Sequence, residues 1–578
     1  MAQAAASSVT RDMETAMHRL STGKRINAAA DDAAGVAISS RLDSTVRGLN
    51  QSIRNALDAQ ALIDTAEGGM QETETILQRI RELSIQASND TNSADDRANL
   101  NAEAQSLLSE IDRISSSTTW AGQSLLDGTF ADKSFQVGGG TMASDQLVTS
   151  ISGVSSGYLG LSGSSGSTIT TPQKIGSEFQ VNTTTTGYQY SPVTTNLENG
   201  NFIISWASEA QDGSVEGSYG QIYSPSGQKI GSEFQINSTT YDYQTNPAVT
   251  SLENGGFFTA WRDRSNDGDS WGIFGQIFDA SGNKVGAEFG INSTTFGAQL
   301  DVNLTTLDNG SVVATWRDYA ADGDGSGVFG QIFSSSGAKL GAEFQINSYV
   351  ADFQTDADVI ALTGGGFFVS WNSEGQDGDL YGIYGQFFND SATKVGSEFR
   401  INSTTTGSQL YPEVNQLSDG GLIVAWQDSS LDGSNEGIFA QKIDVLGNKI
   451  GTEFQLNDYS TDAQTTPFVQ SLKSGGFIAT WNSNGQDGSG SGIFGQRFDN
   501  SGNKVGDEFQ INSYTNSDQK NPHRHPISEL DNGNLVMTWS SSEQDGDDYG
   551  VFAQIFDVGA TNVDLTTMSN SQSAISLV

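Results

Sequence analysis

Apolar residues recur at every seventh position along one stretch, at Leu42, Leu49, Ala56, Ile63, Met70 and Leu77. Val46 and Ile53 fill a second seam position early, and Ala59, Ala66 and Ile80 fill it later. A sustained heptad keeps two helices in register along a supercoiled seam. The pattern predicts a helix from about residue 33 onward, roughly 75 Å long at 1.5 Å per residue. No small globular domain covers that length, so partner helices are required, in this chain or in neighbouring subunits. Leu42, Leu49, Ile53, Ile63, Met70 and Leu77 are the expected packing residues. Ahead of this helix, Val9, Met13, Ala16, Met17 and Leu20 share one face of a short helix over residues 1–23, with Gly23 as its C-cap. Residues 24–30 read as a connector. Residues 89–92 read as a turn, and Ser93 with Asp96 resembles a capping box. Leu100, Ala104, Leu107, Ile111 and Ile114 then form the stripe of a second helix folding back antiparallel on the first. Residues 135–137 and 147–151 predict a hairpin, and the Gly- and Ser-rich residues 152–170 a linker.

Beyond the linker the period changes from seven to two, and the sequence repeats. Glu-Phe pairs begin at 178, 233, 288, 343, 398, 453 and 508, a constant step of 55. Tryptophan follows at 206, 261, 316, 371, 426 and 481, while Trp539 comes three residues late. Each copy holds four strand-like runs. Ile230, Ser232, Phe234 and Ile236 alternate with Gly231, Glu233 and Gln235, which is the strand period. Turn residues fall between the runs, as at Asn254-Gly255-Gly256, Asp267-Gly268 and Ser281-Gly282-Asn283. Seven units of four short strands predict a seven-bladed β-propeller, with few open sheet edges. The array opens on a lone fourth strand near 174–181 and ends on a third strand near 551–557, so pairing these two would close the ring. An open β-solenoid or a row of sandwiches is the competing architecture. The fold class is therefore multidomain, α plus all-β. Its expected parts are helices over 1–130, hairpin and linker over 131–170, propeller over 171–558, and a further helix opening over 559–578.

Charge and composition narrow the function. The 578 residues hold 28 Lys plus Arg against 69 Asp plus Glu, a net charge of −41. Such a surface repels phosphate backbones and disfavours nucleic-acid binding. There is no cysteine, which excludes disulfides, thiolate metal sites and cysteine nucleophiles. No run of about 18 apolar residues occurs, so no helix is predicted to span a membrane. The amino terminus shows no basic-then-apolar secretion signal.

Candidate chemistry is sparse. The Asp-Gly loops cluster oxygens at Asp267 and Asp269, Asp322 and Asp324, and Asp377 and Asp379, the donor type that calcium prefers. Asp-Gly also simply makes the turn, and none of these loops has the spaced ladder of a dedicated calcium site. Calcium is the one cofactor considered, and these aspartates are its candidates. His523-Arg524-His525 sits in the extra residues of the seventh copy and is expected to be an exposed loop. No HExxH, GxSxG or P-loop pattern occurs, so no enzyme is expected. The repeated tryptophans are expected to pack between blades, whereas Trp271, Tyr241, Tyr243 and Tyr381 are aromatics available to stack on sugars.

Leu20-Ser-Thr-Gly-Lys-Arg-Ile-Asn27, Asp31-Asp-Ala-Ala-Gly35 and Gln78-Arg-Ile-Arg-Glu-Leu-Ser-Ile-Gln86 resemble the amino-terminal half of bacterial flagellin. The resemblance continues through Asn92-Ser93 and Glu110-Ile-Asp-Arg-Ile114 to Leu125-Leu126-Asp127-Gly128, and covers about residues 4–155. Residues 563–578 look like the opening of the carboxy-terminal helix of that family, and both ends read as trimmed. The resemblance implies a motility filament subunit outside the cell, exported without a cleaved signal and packed against other flagellin subunits. It also implies that Arg79, Leu83, Gln86 and Glu103 form the surface sensed by the animal Toll-like receptor for flagellin. The same residues hold neighbouring protofilaments in the alternative reading. Two rivals concern the propeller. As a glycan- or surface-binding adhesin module it predicts an asymmetric cluster of exposed aromatics. As an enzyme it predicts convergent carboxylates unique to one or two blades, against which the strict repetition argues.

Overall fold

The computed structural model describes residues 2–28, 32–87, 89, 94–130, 133–140, 145–151, 153–156, 171–264, 266–522 and 524–558. They fall into two compact units, one within Met1–Leu161 and one within Ser162–Asn562. The turn at 90–92, Ser93 of the capping box, most of the linker, His523 and the helix expected over 559–578 lie outside the described residues.

The first unit holds helices α1 (Ala2–Thr22), α2 (Ala33–Ala87) and α3 (Ala94–Ser117). Gly23 ends α1 with φ +67°, a left-handed conformation that glycine adopts without steric cost. Asp32 caps α2, its Oδ1 accepting the Gly35 N–H at 2.8 Å. At 55 residues, α2 is roughly 80 Å long. Its buried positions are Ser52, Ala59, Ala66, Thr73, Ile80 and Ala87, one per heptad, flanked by Leu62, Leu83 and Ser84. Ile80, Leu83 and Ala87 pack on Ala104, Leu108 and Ile111 of α3. Arg79 meets Glu103 at 2.7 Å, and Gly69 lies against Thr118 beyond the end of α3, so the two helices run antiparallel.

This corrects the expected packing within the chain. Leu42, Leu49, Ile53, Ile63 and Met70 are between 38 % and 59 % exposed, and only Leu77 packs in the core shared with α3. The physical reason is coverage. The 24 residues of α3 and the hairpin Lys133–Gln136 with Gln146–Thr149 reach one face of α2, and that face is the other heptad. On a supercoiled helix two seams offset by three residues lie roughly 50° apart.

Gly69 marks a close approach of α2 to the segment that follows α3. A Cβ there would stand 2.7 Å from Leu126 Cδ1 and 2.9 Å from Thr118 Oγ1. Gly69→Leu is expected to destabilise the helical unit by about 1–3 kcal/mol, as overpacking does. Helical circular dichroism on heating reads this out, and an unchanged melt would refute it.

The second unit is a closed ring of seven sheets. Six blades each take four consecutive strands, such as Gln244–Ser251, Phe257–Asp263, Gly272–Phe278 and Lys284–Gly290 in the second blade. The seventh joins Leu535–Ser542 and Tyr549–Asp557 to Gln173–Gln180, with Phe552 paired to Gln180 and Phe556 to Lys174. First strands touch those of neighbouring blades and are innermost, while fourth strands have exposed outer halves. The core lies between blades. Trp316, from blade three, packs with Phe258, Ile277 and Ile291 of blade two, and the other six repeat tryptophans occupy equivalent fully buried places. The alternation predicted over 230–236 is broken by a bulge at Gly231, φ +68°, which leaves Ile230 on the exposed rim.

Polar clasps repeat with the blades. Each Glu of the seven Glu-Phe pairs accepts a backbone N–H from the preceding blade, as Glu288 does from Ser238 at 2.7 Å. Glu178 does the same for Ser513 across the closure, at 2.7 Å. Asn237, buried, accepts the Ser218 N–H at 2.8 Å and donates to Thr239 O at 2.7 Å, and its six counterparts make the same bridges.

Candidate functional site

The inner strand of each of the first six blades bulges at one place. Ser191, Asn246, Asp301, Asp356, Tyr411 and Thr466 sit there with φ between 52° and 60°. Five of them line a cavity of about 340 Å³ enclosed by the first strands, at the axis of the ring. Elsewhere the repeat is strict, but here it is not. The position after the repeat tryptophan is Ala207, Arg262, Arg317, Asn372, Gln427 and Asn482 in successive blades. Asn372, Gln427 and Asn482 each accept the N–H of the next blade's bulge, that of Asn521 at 2.6 Å. Arg317 instead turns to Asp301, Nη2 to Oδ2 at 2.9 Å.

The seventh blade completes the asymmetry. Its first strand is interrupted between Gln519–Lys520 and Ile527–Glu529, and Arg524 and His525 turn inward. Arg524 reaches Asp301 Oδ1 at 3.3 Å and donates to Val302 O. His525 Nε2 lies 3.0 Å from Asn303 Oδ1 and 3.6 Å from Asp358. The expectation of an exposed loop is thus corrected for Arg524 and His525. A basic side chain is drawn into the axis because carboxylates of blades three to five are already there, and an unpaired buried charge is costly. Asp358 also accepts from Asn303 Nδ2 at 2.7 Å and Val414 N at 2.8 Å. Burial raises Asp358 above the usual carboxylate range and lowers His525. Glu413 is raised well above it, by burial first and Asp358 second. Carboxylates converge here from blades three, four and five, more blades than the one or two expected of an enzyme site. Linear sequence hid them, because they come from three blades, in positions that only closure brings together.

Aromatic side chains stack on the arginines of blades two and three. Arg262 lies 4.8 Å over the Trp271 ring, whose centroid is 5.8 Å from that of Tyr243. Arg317 lies 4.9 Å over Tyr319. The Tyr381 hydroxyl donates to Glu374 at 3.1 Å, and Tyr241 is exposed.

The Asp-Gly loops use their oxygens locally. Asp267 Oδ1 accepts the Asp269 N–H, and Asp322 and Asp377 accept those of Asp324 and Asp379. Asp269 Oδ2 accepts from Gly297 at 3.0 Å and Asp379 Oδ2 from Gly407 at 2.9 Å, latching the next blade. Among the described residues, no group of three or more His, Asp or Glu side chains is placed to hold a metal ion.

Glu529, buried at the junction of blades six and seven, is pushed up to about 7 by burial, against its bond from Lys473 N. A raised acid stabilises the fold fully below its unfolded value near 4.5, and that contribution is lost as pH rises through about 7. The loss is roughly 3 kcal/mol at 1.36 kcal/mol per unit. Unfolding of the wild type is expected to show this decline between pH 4.5 and 7, with a smaller one in Glu529→Gln. Parallel profiles would refute it.

In the helical unit, Arg79, Gln86 and Glu103 are exposed, with Arg79 bonded to both Glu103 and Glu82. Leu83 is not exposed. It is fully buried against α3, which corrects its place in the expected receptor surface.

The two units define a chain with a coiled-coil helical module and a seven-bladed β-propeller. Residues 1–131 match the family described as the bacterial flagellin N-terminal helical region. Flagellin A of Vibrio cholerae is 49% identical over 129 residues, 22% of this chain and 34% of that protein. B-type flagellin of Pseudomonas aeruginosa is 50% identical over 129 residues, 22% and 26% respectively. The chain spans about a third or less of the length of these curated relatives. Among solved structures, the polysaccharide lyase Uly1 aligns over 65% of this chain and 91% of its own, with TM-score 0.43 and 9% identity. A protein of unknown function from Dyadobacter fermentans aligns over 67% and 99%, with TM-score 0.41 and 10% identity. No described helix is long and apolar enough to cross a membrane.

Proposed function

We propose that this chain is a structural subunit of the extracellular bacterial flagellar filament, carrying its propeller as a surface-exposed outer domain. The observation that carries this reading is the exposed apolar seam of α2. Leu42, Leu49, Ile53, Ile63 and Met70 stay exposed although they repeat as a packing seam, so they fit helices of other subunits. The similarity of residues 1–131 to flagellins supports the same partner. The role is structural rather than catalytic. In cells producing the protein, antibodies against residues 171–558 are expected to decorate sheared filaments along their length. Leu42→Asp with Leu49→Asp is expected to abolish the decoration. Labelling confined to the cell body, or unaffected by the double substitution, would overturn the assignment.

The receptor reading narrows to Arg79, Gln86 and Glu103, which are accessible on the helical unit. Arg79→Ala is then expected to lower signalling in a receptor-reporter assay without changing the melt, and undiminished signal would remove it.

A further inference from the structure

We propose that the axial cavity of the propeller binds a neutral saccharide of one or two rings. The inference is independent of whether the chain enters a filament.

The symmetry of the repeat breaks at the axis of the ring. Seven near-identical repeats keep their core and clasp residues, but diversify where blades two to five face the axis. Closing the ring needs no such change. Blades five and six support their neighbours' bulges with Gln427 and Asn482, and those amides would serve equally where Arg262 and Arg317 stand. The replacements instead supply guanidinium groups, carboxylates and the Tyr411 phenol around one space.

The lining is chemically mixed. Asp301, Asp356, Arg317, Arg524, Tyr411 and Asn246 all face a cavity of about 340 Å³. That volume is at the small end of ligand sites. Acceptors and donors of both charges stand side by side. A polyanion would meet Asp301 and Asp356 within a chain of net charge −41, and a cation would meet the arginines. Vicinal hydroxyls take both partners, donating to a carboxylate while accepting from a guanidinium.

The test is saturation-transfer NMR on the full chain with neutral pentose and hexose mono- and disaccharides, and with uronate-containing counterparts, each added singly. At least one neutral sugar is expected to give a signal. Its affinity is expected to fall at least tenfold in Asp356→Asn and in Tyr411→Phe. Asp444→Asn, in an exposed turn between third and fourth strands, is expected to bind as the wild type does. Tryptophan fluorescence melts show which variants are folded, and Tyr411→Phe, which keeps the ring, serves if Asp356→Asn unfolds. No signal from any sugar, signal from uronates alone, or binding that survives both substitutions overturns the proposal.

Discussion

Asp301→Ala is expected to destabilise the propeller by about 3–5 kcal/mol, because it strands two buried guanidinium groups at once. Asp301 takes Arg317 on Oδ2 at 2.9 Å and Arg524 on Oδ1 at 3.3 Å, with all three side chains less than 20% exposed. Neither arginine can shed its charge near neutral pH, so the cost is not relieved by deprotonation. Denaturant unfolding followed by tryptophan fluorescence reads the effect, since the seven repeat tryptophans are fully buried in the ring. A loss below about 1 kcal/mol for the single substitution would show that water reaches these groups.

Removing the closing strand is expected to have a larger effect still. Without residues 171–181, Tyr549–Asp557 loses its partner and becomes an open edge. Val181, fully buried, leaves the core between blades seven and one, a loss of about 1.5–3 kcal/mol. Glu178 no longer caps Ser513 and Tyr514, and Lys174 no longer donates to Asn512 O and Ser513. At about 1 kcal/mol for each bond, the total approaches the roughly 5–15 kcal/mol that holds a domain folded. The cooperative fluorescence transition is expected to vanish, and to return when residues 171–182 are supplied as a peptide. A deletion variant that melts as the wild type does would mean that the ring is stable open.

These expectations differ in how far they could be read beforehand. The closure was visible in the chain, because the repeat array opens on a fourth strand and ends on a third. The tryptophans also read correctly as packing residues between blades, since a large apolar side chain repeated at a constant step has a repeated neighbour. The Asp301 cluster was not visible. Asp301, Asp356, Glu413 and Arg524 are more than fifty residues apart at each step, and nothing in their local sequence distinguishes an axial position from a surface loop. His525 and Arg524 looked exposed for the same reason. Flanking prolines and polar neighbours describe a loop, but not the direction in which it turns.

The helical unit divides in the same way. The sequence alone determined that α2 is one long helix, because heptad spacing is a local and periodic property. It also determined the count of blades and their strands. Only the tertiary structure decided which of two heptads α3 would cover, burying Leu83 and leaving Leu42 to Met70 exposed. Both seams satisfy the same spacing rule, and the choice between them depends on where α3 and the hairpin return. Likewise, only closure of the ring brought carboxylates and guanidinium groups from different blades to one axis. Periodicity fixes what each element is, while the environment of a side chain is fixed by neighbours that lie far away along the chain.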